Sequence, residues 1–220
     1  MKNEIRKNSI RGAGCILAFA VLTVLLGVID VRPLGVNGTD IGFAGINTGF
    51  HALTGTDMTL YTVTDRLGLV PLFVCMAFGV TGLLQLIKRR SLLRVDGDIL
   101  ISGAYYIVVI ICYFAFEMIP VNYRPVLING IAEISYPSST TLLVLCVMPT
   151  LVFLTGRRLN RSGIKKSVYI ITVLFSAFMV TGRLLSGVHW LSDIAGAVLL
   201  SAGLYSLYKA LVLWADSRKV

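Results

Sequence analysis

Residues 69–87 have the sequence LVPLFVCMAFGVTGLLQLI and are followed directly by Lys88-Arg89-Arg90. The run contains no charged side chain. A helix rises about 1.5 Å per residue, so a run of this length covers the roughly 30 Å of hydrocarbon in a bilayer. The stretch is therefore predicted to be a transmembrane helix, and its basic end is predicted to lie in the cytoplasm.

Five further stretches share this apolar character, at residues 12–29, 99–119, 138–155, 167–185 and 191–214. The chain as a whole is 56% hydrophobic and only 14% charged. Soluble domains carry about 25% charged residues, so a soluble fold has too few charges here to cover its apolar surface. The sequence predicts an all-α, six-helix membrane bundle that forms one domain over residues 1–220.

The basic residues are distributed unevenly between the two ends of these helices. Only four of the 20 lysines and arginines fall on one side, namely Arg32, Arg66, Arg124 and Arg183. Because cytoplasmic loops are enriched in lysine and arginine, both termini are predicted to be cytoplasmic, in a multi-pass protein of the plasma membrane. The net charge of +9 then faces anionic lipids, and we expect membrane lipids rather than nucleic acid as partners.

The segment 30–68 is predicted to be an outer loop rather than a further span. It is rich in glycine, and Asp40, His51, Asp57 and Asp65 interrupt its apolar residues. Charged side chains are costly within a bilayer. We expect one or two short amphipathic helices here, lying at the membrane interface.

The four cysteines do not form a recognisable framework. Each lies inside an apolar run and none belongs to a CxxC pair: Cys15, Cys75, Cys112 and Cys146. This distribution is typical of small buried apolar residues and not of disulfides or a zinc site.

Six ionisable residues lie within or at the ends of the spans, all on the predicted outer side. They are Glu117, Arg124, Glu133, Arg183, His189 and Asp193. Such residues are functional candidates, because burying a charge is costly without a partner. His189 and Asp193 are four residues apart at the start of the sixth helix, which places them on one helical face. A carboxylate in that position fixes the tautomer of the imidazole and raises its basicity.

The fourth helix begins with Pro137 and a run of hydroxyl residues, Ser138, Ser139 and Thr140. A helix N-terminus offers free backbone N–H groups that favour an anion. Arginine matches phosphate oxygens with two parallel hydrogen bonds. Each feature alone is typical of a helix cap, a lipid-headgroup anchor or a surface pair, but their combination on one side predicts a phosphate site with His189 as a nucleophile.

These motifs resemble those of the type 2 phosphatidic acid phosphatase family of membrane lipid phosphatases, over residues 99–213. That family carries K-x6-R-P, P-S-G-H and S-R-x5-H-x3-D. The third motif is matched by Arg183, His189 and Asp193, with Gly182 in place of its serine. The first retains Arg124-Pro125 but has Glu117 at the lysine position, and the second retains Pro137-Ser138 but has Ser139 and Thr140 in place of glycine and histidine.

The resemblance implies a membrane lipid phosphatase that acts on a lipid phosphate or polyprenyl diphosphate through a phosphohistidine. His189 would attack phosphorus while Asp193 orients it. Arg183, Arg124 and Ser138 would hold the phosphoryl oxygens, and Ser139 and Thr140 are further phosphate-binding candidates. We expect no cofactor and no metal, because the outer acids are scattered and the arginines supply positive charge.

The two departures leave three interpretations open. In the family the second-motif histidine protonates the leaving oxygen, and the hydroxyl of Thr140 is too weak an acid for that. The substrate has a good leaving group, or Glu117, Glu133 or His51 supplies the proton, or the chain is a catalytically degenerate lipid-phosphate binder or transporter. A transporter would show inverted repeats or broken helices, and the sequence shows neither.

Overall fold

The computed structural model describes residues 1–218 and folds them into eight α-helices. The helices are α1 (Lys2–Leu26), α2 (Ala44–Thr54), α3 (Met58–Leu67), α4 (Val70–Arg89), α5 (Gly97–Met118), α6 (Ser139–Arg158), α7 (Ser162–Leu185) and α8 (Leu191–Ser217). Two short 3₁₀ turns, Val36–Gly38 and Leu92–Arg94, lie in connecting segments.

Six helical segments of residues 1–218 are long and apolar enough to cross a membrane. They are α1, α5, α6, α7, α8 and the continuous segment Met58–Arg89, in which α3 runs into α4 with only Gly68 and Leu69 between them. The chain is thus an all-α, multi-pass membrane protein, as the sequence predicted.

The predicted first span missed the start of its helix, and the predicted last span missed the end of its helix. Helix α1 begins at Lys2 rather than at residue 12 and ends at Leu26 rather than 29, and α8 continues to Ser217 rather than 214. The reason is that hydropathy marks only the part of a helix that lies in hydrocarbon. The polar ends of α1 and α8 satisfy their backbone groups by continuing the same helical hydrogen bonds beyond it.

The predicted outer loop 30–68 contains the two expected short helices, α2 and α3, but α3 continues into α4, so the second candidate span begins at Met58 rather than at residue 69. Asp57 caps α3, since its Oδ1 accepts hydrogen bonds of 2.9 Å from both Thr59 N and Leu60 N. Helix α2 rests on the start of α8, where Asn47 Nδ2 donates to Ser192 Oγ at 2.9 Å. Helix α3 packs against α7. Both helices therefore cover the end of the bundle that carries the candidate site, which we call the predicted outer end.

Helix α8 is the centre of the bundle and packs against α1, α5 and α6. The approach of α1 to α8 is close: a Cβ atom at Gly203 would lie 2.8 Å from the side chain of Ile16. Half of the residues in the most apolar stretch of α6, and half of those in α8, are buried inside the protein. The corresponding share is 11% for the segment that contains α4. The periphery of the bundle therefore presents apolar side chains outward, as a bilayer requires.

The prediction of four buried cysteines was right only for Cys146. Cys15, Cys75 and Cys112 are half-buried, and all four thiols are free. An apolar neighbourhood in a membrane sequence does not separate positions that face lipid from positions that pack inside the bundle, because both are apolar.

The opposite end of the bundle is fastened by ion pairs. Arg158 Nη2 lies 2.5 Å from Asp98 Oδ1, which joins α6 to α5, and Arg157 Nη2 lies 2.8 Å from Asp216 Oδ2, which joins α6 to α8. These pairs hold three helices in register at one end, while the candidate site lies at the other.

Candidate active site

Four elements at the predicted outer end bring the predicted site residues together. Arg183 lies in the last turn of α7, His189 in the turn between α7 and α8, and Asp193 in the first turn of α8. Arg124 lies in the segment that connects α5 to α6. The site is therefore built where helices begin and end.

The turn between α7 and α8 requires glycine at position 187. Gly187 has a φ of +65°, and a Cβ atom there would lie 1.8 Å from the carbonyl oxygen of Gly55. An L-residue would be strained and would also collide with backbone. Gly187 thus lets the α2–α3 connection lie against the turn that carries His189.

Asp193 helps to fix the same turn as well as facing the histidine. Its Oδ2 accepts a hydrogen bond of 2.9 Å from the backbone N–H of Trp190, at the start of α8. Trp190 in turn donates from Nε1 to the carbonyl oxygen of Tyr123 at 2.7 Å. The segment that carries Arg124 is therefore tied to the turn that carries His189.

The imidazole of His189 lies between a carboxylate and a guanidinium. Its Nδ1 is 3.5 Å from Asp193 Oδ2, and its Nε2 is 3.1 Å from Arg183 Nη2. Because a guanidinium can only donate, Nε2 accepts, and the proton belongs on Nδ1, facing Asp193. Burial, reinforced by Arg124 and Arg183, lowers the pKa of His189 well below its usual value. The ring is thus neutral at pH 7, with a lone pair on Nε2.

Two buried arginines face the histidine from opposite segments. Arg183 is 1% exposed and Arg124 is 8% exposed. Both guanidinium groups lie over the ring of Tyr61, with Cζ at 4.8 Å and 5.6 Å from its centroid respectively. Two buried like charges on one ring repel each other, so this arrangement favours binding of an anion between or beside them.

Each arginine has one carboxylate nearby in this structure. Arg124 Nε lies 3.0 Å from Glu133 Oε2, and Arg183 Nη1 lies 3.5 Å from Asp65 Oδ1. Neither contact has the alignment of a hydrogen bond, because the same two nitrogens count among the unpartnered buried atoms. Asp65 and Glu133 therefore offset part of the positive charge without occupying the N–H groups.

The unpartnered buried polar side-chain atoms of residues 1–218 are confined to the site. They are Nε and Nη1 of Arg124, Nε and Nη1 of Arg183, Nδ1 of His189 and Oδ1 of Asp193. Buried polar groups are costly when they lack hydrogen bonds. The four guanidinium nitrogens among these atoms are hydrogen-bond donors, which a phosphoryl group with several oxygens would satisfy.

A cavity of about 430 Å³ opens onto Arg124 and His189, whereas Arg183 and Asp193 lie behind its wall. Arg124, His189 and Ser139 contribute to its wall, together with Tyr113, Glu117 and Glu133. A second cavity of about 460 Å³ lies beside it and shares Tyr113 and Glu117 as its wall. Its other lining includes Asp65, Leu69, Leu72 and Phe114, so it is mainly apolar with an acidic edge.

The hydroxyl residues at the start of α6 separate into different surroundings. Ser139 lines the first cavity, whereas Thr140 lines the second and packs against Gly68. The hydroxyl of Ser138 is fully buried and donates to Thr141 Oγ1 at 3.0 Å. Of the three, the structure brings only the side chain of Ser139 to the cavity of His189.

Sequence reasoning missed Tyr61 and gave Asp65 no role in the site. They are four residues apart on α3, and so share a helical face. That spacing was a usable signal, but it does not reveal which part of the bundle the face contacts.

These features define a class: a multi-pass membrane protein with a buried arginine pair and a histidine–carboxylate pair at one end of a helical bundle. Residues 102–216, just over half of the chain, match the PAP2 superfamily. The chain belongs to that superfamily.

A similar solved structure is the transmembrane PAP2-type phosphatidylglycerolphosphate phosphatase from Bacillus subtilis, with 18% sequence identity and a TM-score of 0.62. The alignment covers 94% of this chain and 96% of that one. At this identity the likeness concerns the fold. A comparison with curated proteins found no match.

Proposed function

We propose that this chain is a membrane lipid phosphatase that transfers the phosphoryl group of its substrate to His189. The observation that carries the proposal is the position of His189. Its Nε2 lone pair lies 3.1 Å from an arginine that can hold a phosphoryl oxygen, while Nδ1 faces Asp193 at 3.5 Å. Membership of the PAP2 superfamily supports the same chemistry.

In the first step, Arg183 Nη2 exchanges its hydrogen bond to His189 Nε2 for one to a phosphoryl oxygen, the freed lone pair of Nε2 attacks phosphorus, and the bond to the leaving oxygen breaks. Positive charge develops on the imidazole, and Asp193 stabilises it through Nδ1–H. The unpartnered N–H groups of Arg124 and Arg183 hold the equatorial oxygens, where the transition state spreads its charge. The N-terminus of α6, with Ser139 at the cavity wall, adds backbone donors.

In the second step, water attacks phosphorus and displaces His189, releasing inorganic phosphate. The same two arginines hold the phosphoryl oxygens in both steps. No metal or cofactor is required in this scheme, because the guanidiniums provide the positive charge that a phosphoryl transfer needs.

The substrate we propose is a lipid phosphate, such as a phosphatidate-like lipid, a phosphatidylglycerolphosphate or a polyprenyl diphosphate. The site lies at helix ends, so a headgroup can reach it while the chains stay in the bilayer. The apolar second cavity adjoins the first at Tyr113 and Glu117. A molecule whose phosphate occupies the first cavity can therefore place apolar carbon in the second.

We further propose that the site faces the outside of the plasma membrane and that both termini are cytoplasmic. The placement of basic residues supports this orientation. Ile131→Cys, in the α5–α6 connection, should react with a membrane-impermeant maleimide on intact cells. Gly163→Cys, at the start of α7, should react only after permeabilisation. Labelling of Gly163→Cys on intact cells above the wild-type background would contradict the orientation.

The catalytic proposal is tested by trapping the intermediate. Purified protein mixed briefly with radiolabelled phosphatidate and quenched should retain label that survives alkali and is lost in acid, as expected for a phosphohistidine. His189→Gln should retain none, while His51→Gln, which changes the only other histidine, should still be labelled.

The trapping experiment also tests the alternative of a non-catalytic lipid-phosphate binder, which Glu117 and Thr140 at the motif positions favour. A binder would retain substrate reversibly, with no covalent label in either variant or in the wild type.

A further inference from the structure

We propose that Glu117 is the acid that protonates the leaving oxygen, in place of the histidine that Thr140 replaces. The inference rests on the proposed phosphatase function and adds a catalytic residue to it. It starts from the two cavities, since the acid must lie where the phosphate site meets the rest of the substrate.

Glu117 has that position. It lies in the last turn of α5 and lines both cavities, as does Tyr113 one turn earlier on the same helix. The oxygen that joins phosphate to the rest of a lipid must lie near this shared wall, if the phosphate occupies the first cavity and the apolar part the second. Thr140 faces the second cavity too, so Glu117 and Thr140 border one space.

The other candidate acids are engaged elsewhere. Glu133 lies 3.0 Å from Arg124 Nε, and Asp65 lies 3.5 Å from Arg183 Nη1, so each of these carboxylates faces an arginine. His51 is outside both cavities, with its Nε2 3.0 Å from the carbonyl oxygen of Gly187. Glu117 forms no ion pair within residues 1–218, so its carboxyl group is not held by a cationic side chain.

The charged groups around Glu117 come from several elements. The titratable and charged groups that share its two cavities are Tyr113 on α5, Asp65 on α3, Arg124, Glu133 and Tyr136 in the α5–α6 connection, and His189 before α8. Arg124 is directed to the phosphate in this proposal, so the position of Glu117 between the two cavities is what distinguishes it from the other acids.

Glu117 gives up one proton and regains one in each catalytic cycle. As the bond between His189 Nε2 and phosphorus forms, the bond to the leaving oxygen breaks, and Glu117 gives its proton to that oxygen to release an alcohol. The Glu117 carboxylate then takes a proton from the water that attacks phosphorus. The phosphorus–nitrogen bond breaks, inorganic phosphate leaves, and Glu117 is again protonated.

The test compares two long-chain phosphate monoesters, one with an alkyl alcohol as leaving group and one with a nitrophenol. Loss of a general acid lowers the rate about 10²–10⁴-fold when the leaving group needs a proton, and lowers it little when the leaving group does not. Glu117→Gln should therefore lower kcat at least ~100-fold on the alkyl ester but less than about fivefold on the aryl ester. Retained aryl turnover also shows that the variant is folded.

The matched control is Glu133→Gln, a second carboxylate in the wall of the first cavity, which should change both substrates by a similar factor. For the wild type, kcat on the alkyl ester should fall at high pH, and Glu117→Gln should abolish that dependence. Glu117→Asp should restore part of the alkyl activity.

This inference would be overturned if Glu117→Gln lowered kcat equally on both substrates, or if Glu133→Gln showed the selective loss on the alkyl ester. In either case, turnover that depends on His189 would still support the phosphatase. Absence of any such turnover in the wild type would overturn both.

Discussion

Replacing His189 with alanine is expected to lower the release of phosphate from a lipid phosphate by at least ~10⁴-fold, because nucleophiles that act as one unit with their partners contribute on that scale. The imidazole is the neutral nucleophile that faces Arg183 and Asp193. Without it, water has to attack phosphorus directly. Release of inorganic phosphate from short-chain phosphatidate in detergent micelles measures the effect.

The control for this change is His51→Ala, at the same end of the bundle. His51 supports the α7–α8 turn through the carbonyl oxygen of Gly187 but lies outside the first cavity. Its loss removes one hydrogen bond, worth about 1 kcal/mol, so turnover should fall by less than about tenfold. If His189→Ala kept turnover within about tenfold of the wild type, His189 would not be the nucleophile, and the reading of the site as a phosphoryl-transfer centre would fail.

The fold was largely predictable because the bilayer imposes it. Runs of about 20 apolar residues have to be helices, since no water satisfies their backbone groups. The same apolar pattern does not show which helices are buried inside the bundle. Helix α4 is nearly all apolar yet buries only Pro71, whereas α6 buries Thr141, Thr150 and many apolar side chains. Hydropathy assigns both to the membrane and does not show which one is central.

The site was predictable where its residues are neighbours in sequence. Only four residues separate His189, just before α8, from Asp193 in its first turn, and Arg183 is six residues before His189, across a short turn. Tyr61 and Asp65 reach the site only because α3 packs against α7, which is a long-range contact that no local pattern reveals.

The directions of the side chains at the start of α6 could not be predicted from the sequence either. Ser138, Ser139 and Thr140 are consecutive, yet one is directed into the helix, one into the first cavity and one into the second. Successive helical positions are about 100° apart, so the exact rotation of the helix decides which hydroxyl faces a ligand. That rotation depends on the packing of α6 against α7 and α8. Whether Ser138 and Thr140 contact phosphate stays a prediction.

Replacing Arg183 with lysine is expected to lower kcat/KM by ~10²–10³-fold, the usual cost of removing one donor to a developing oxyanion. The charge is kept, so the loss reports on geometry. Arg183 reaches His189 with Nη2 and approaches Asp65 with Nη1, while its Nε lacks a partner. A lysine has one ammonium group on a flexible stem, and it cannot hold a phosphoryl oxygen and face the histidine in the same fixed plane.

Arg32→Lys is the matched control, because Arg32 is an exposed arginine at the same end of the bundle, 2.7 Å from Asp30. It should leave kcat/KM within about twofold, as expected for an exposed ion pair. Inhibition by vanadate, which occupies the position of a phosphoryl group, measures binding at the site directly. Arg183→Lys should raise the inhibition constant, whereas Arg32→Lys should not. If Arg183→Lys kept both kcat/KM and vanadate inhibition at the wild-type level, the phosphoryl oxygens would have to be held by Arg124 and the start of α6 alone. The short contact between Arg183 and His189 would then serve only to orient the imidazole.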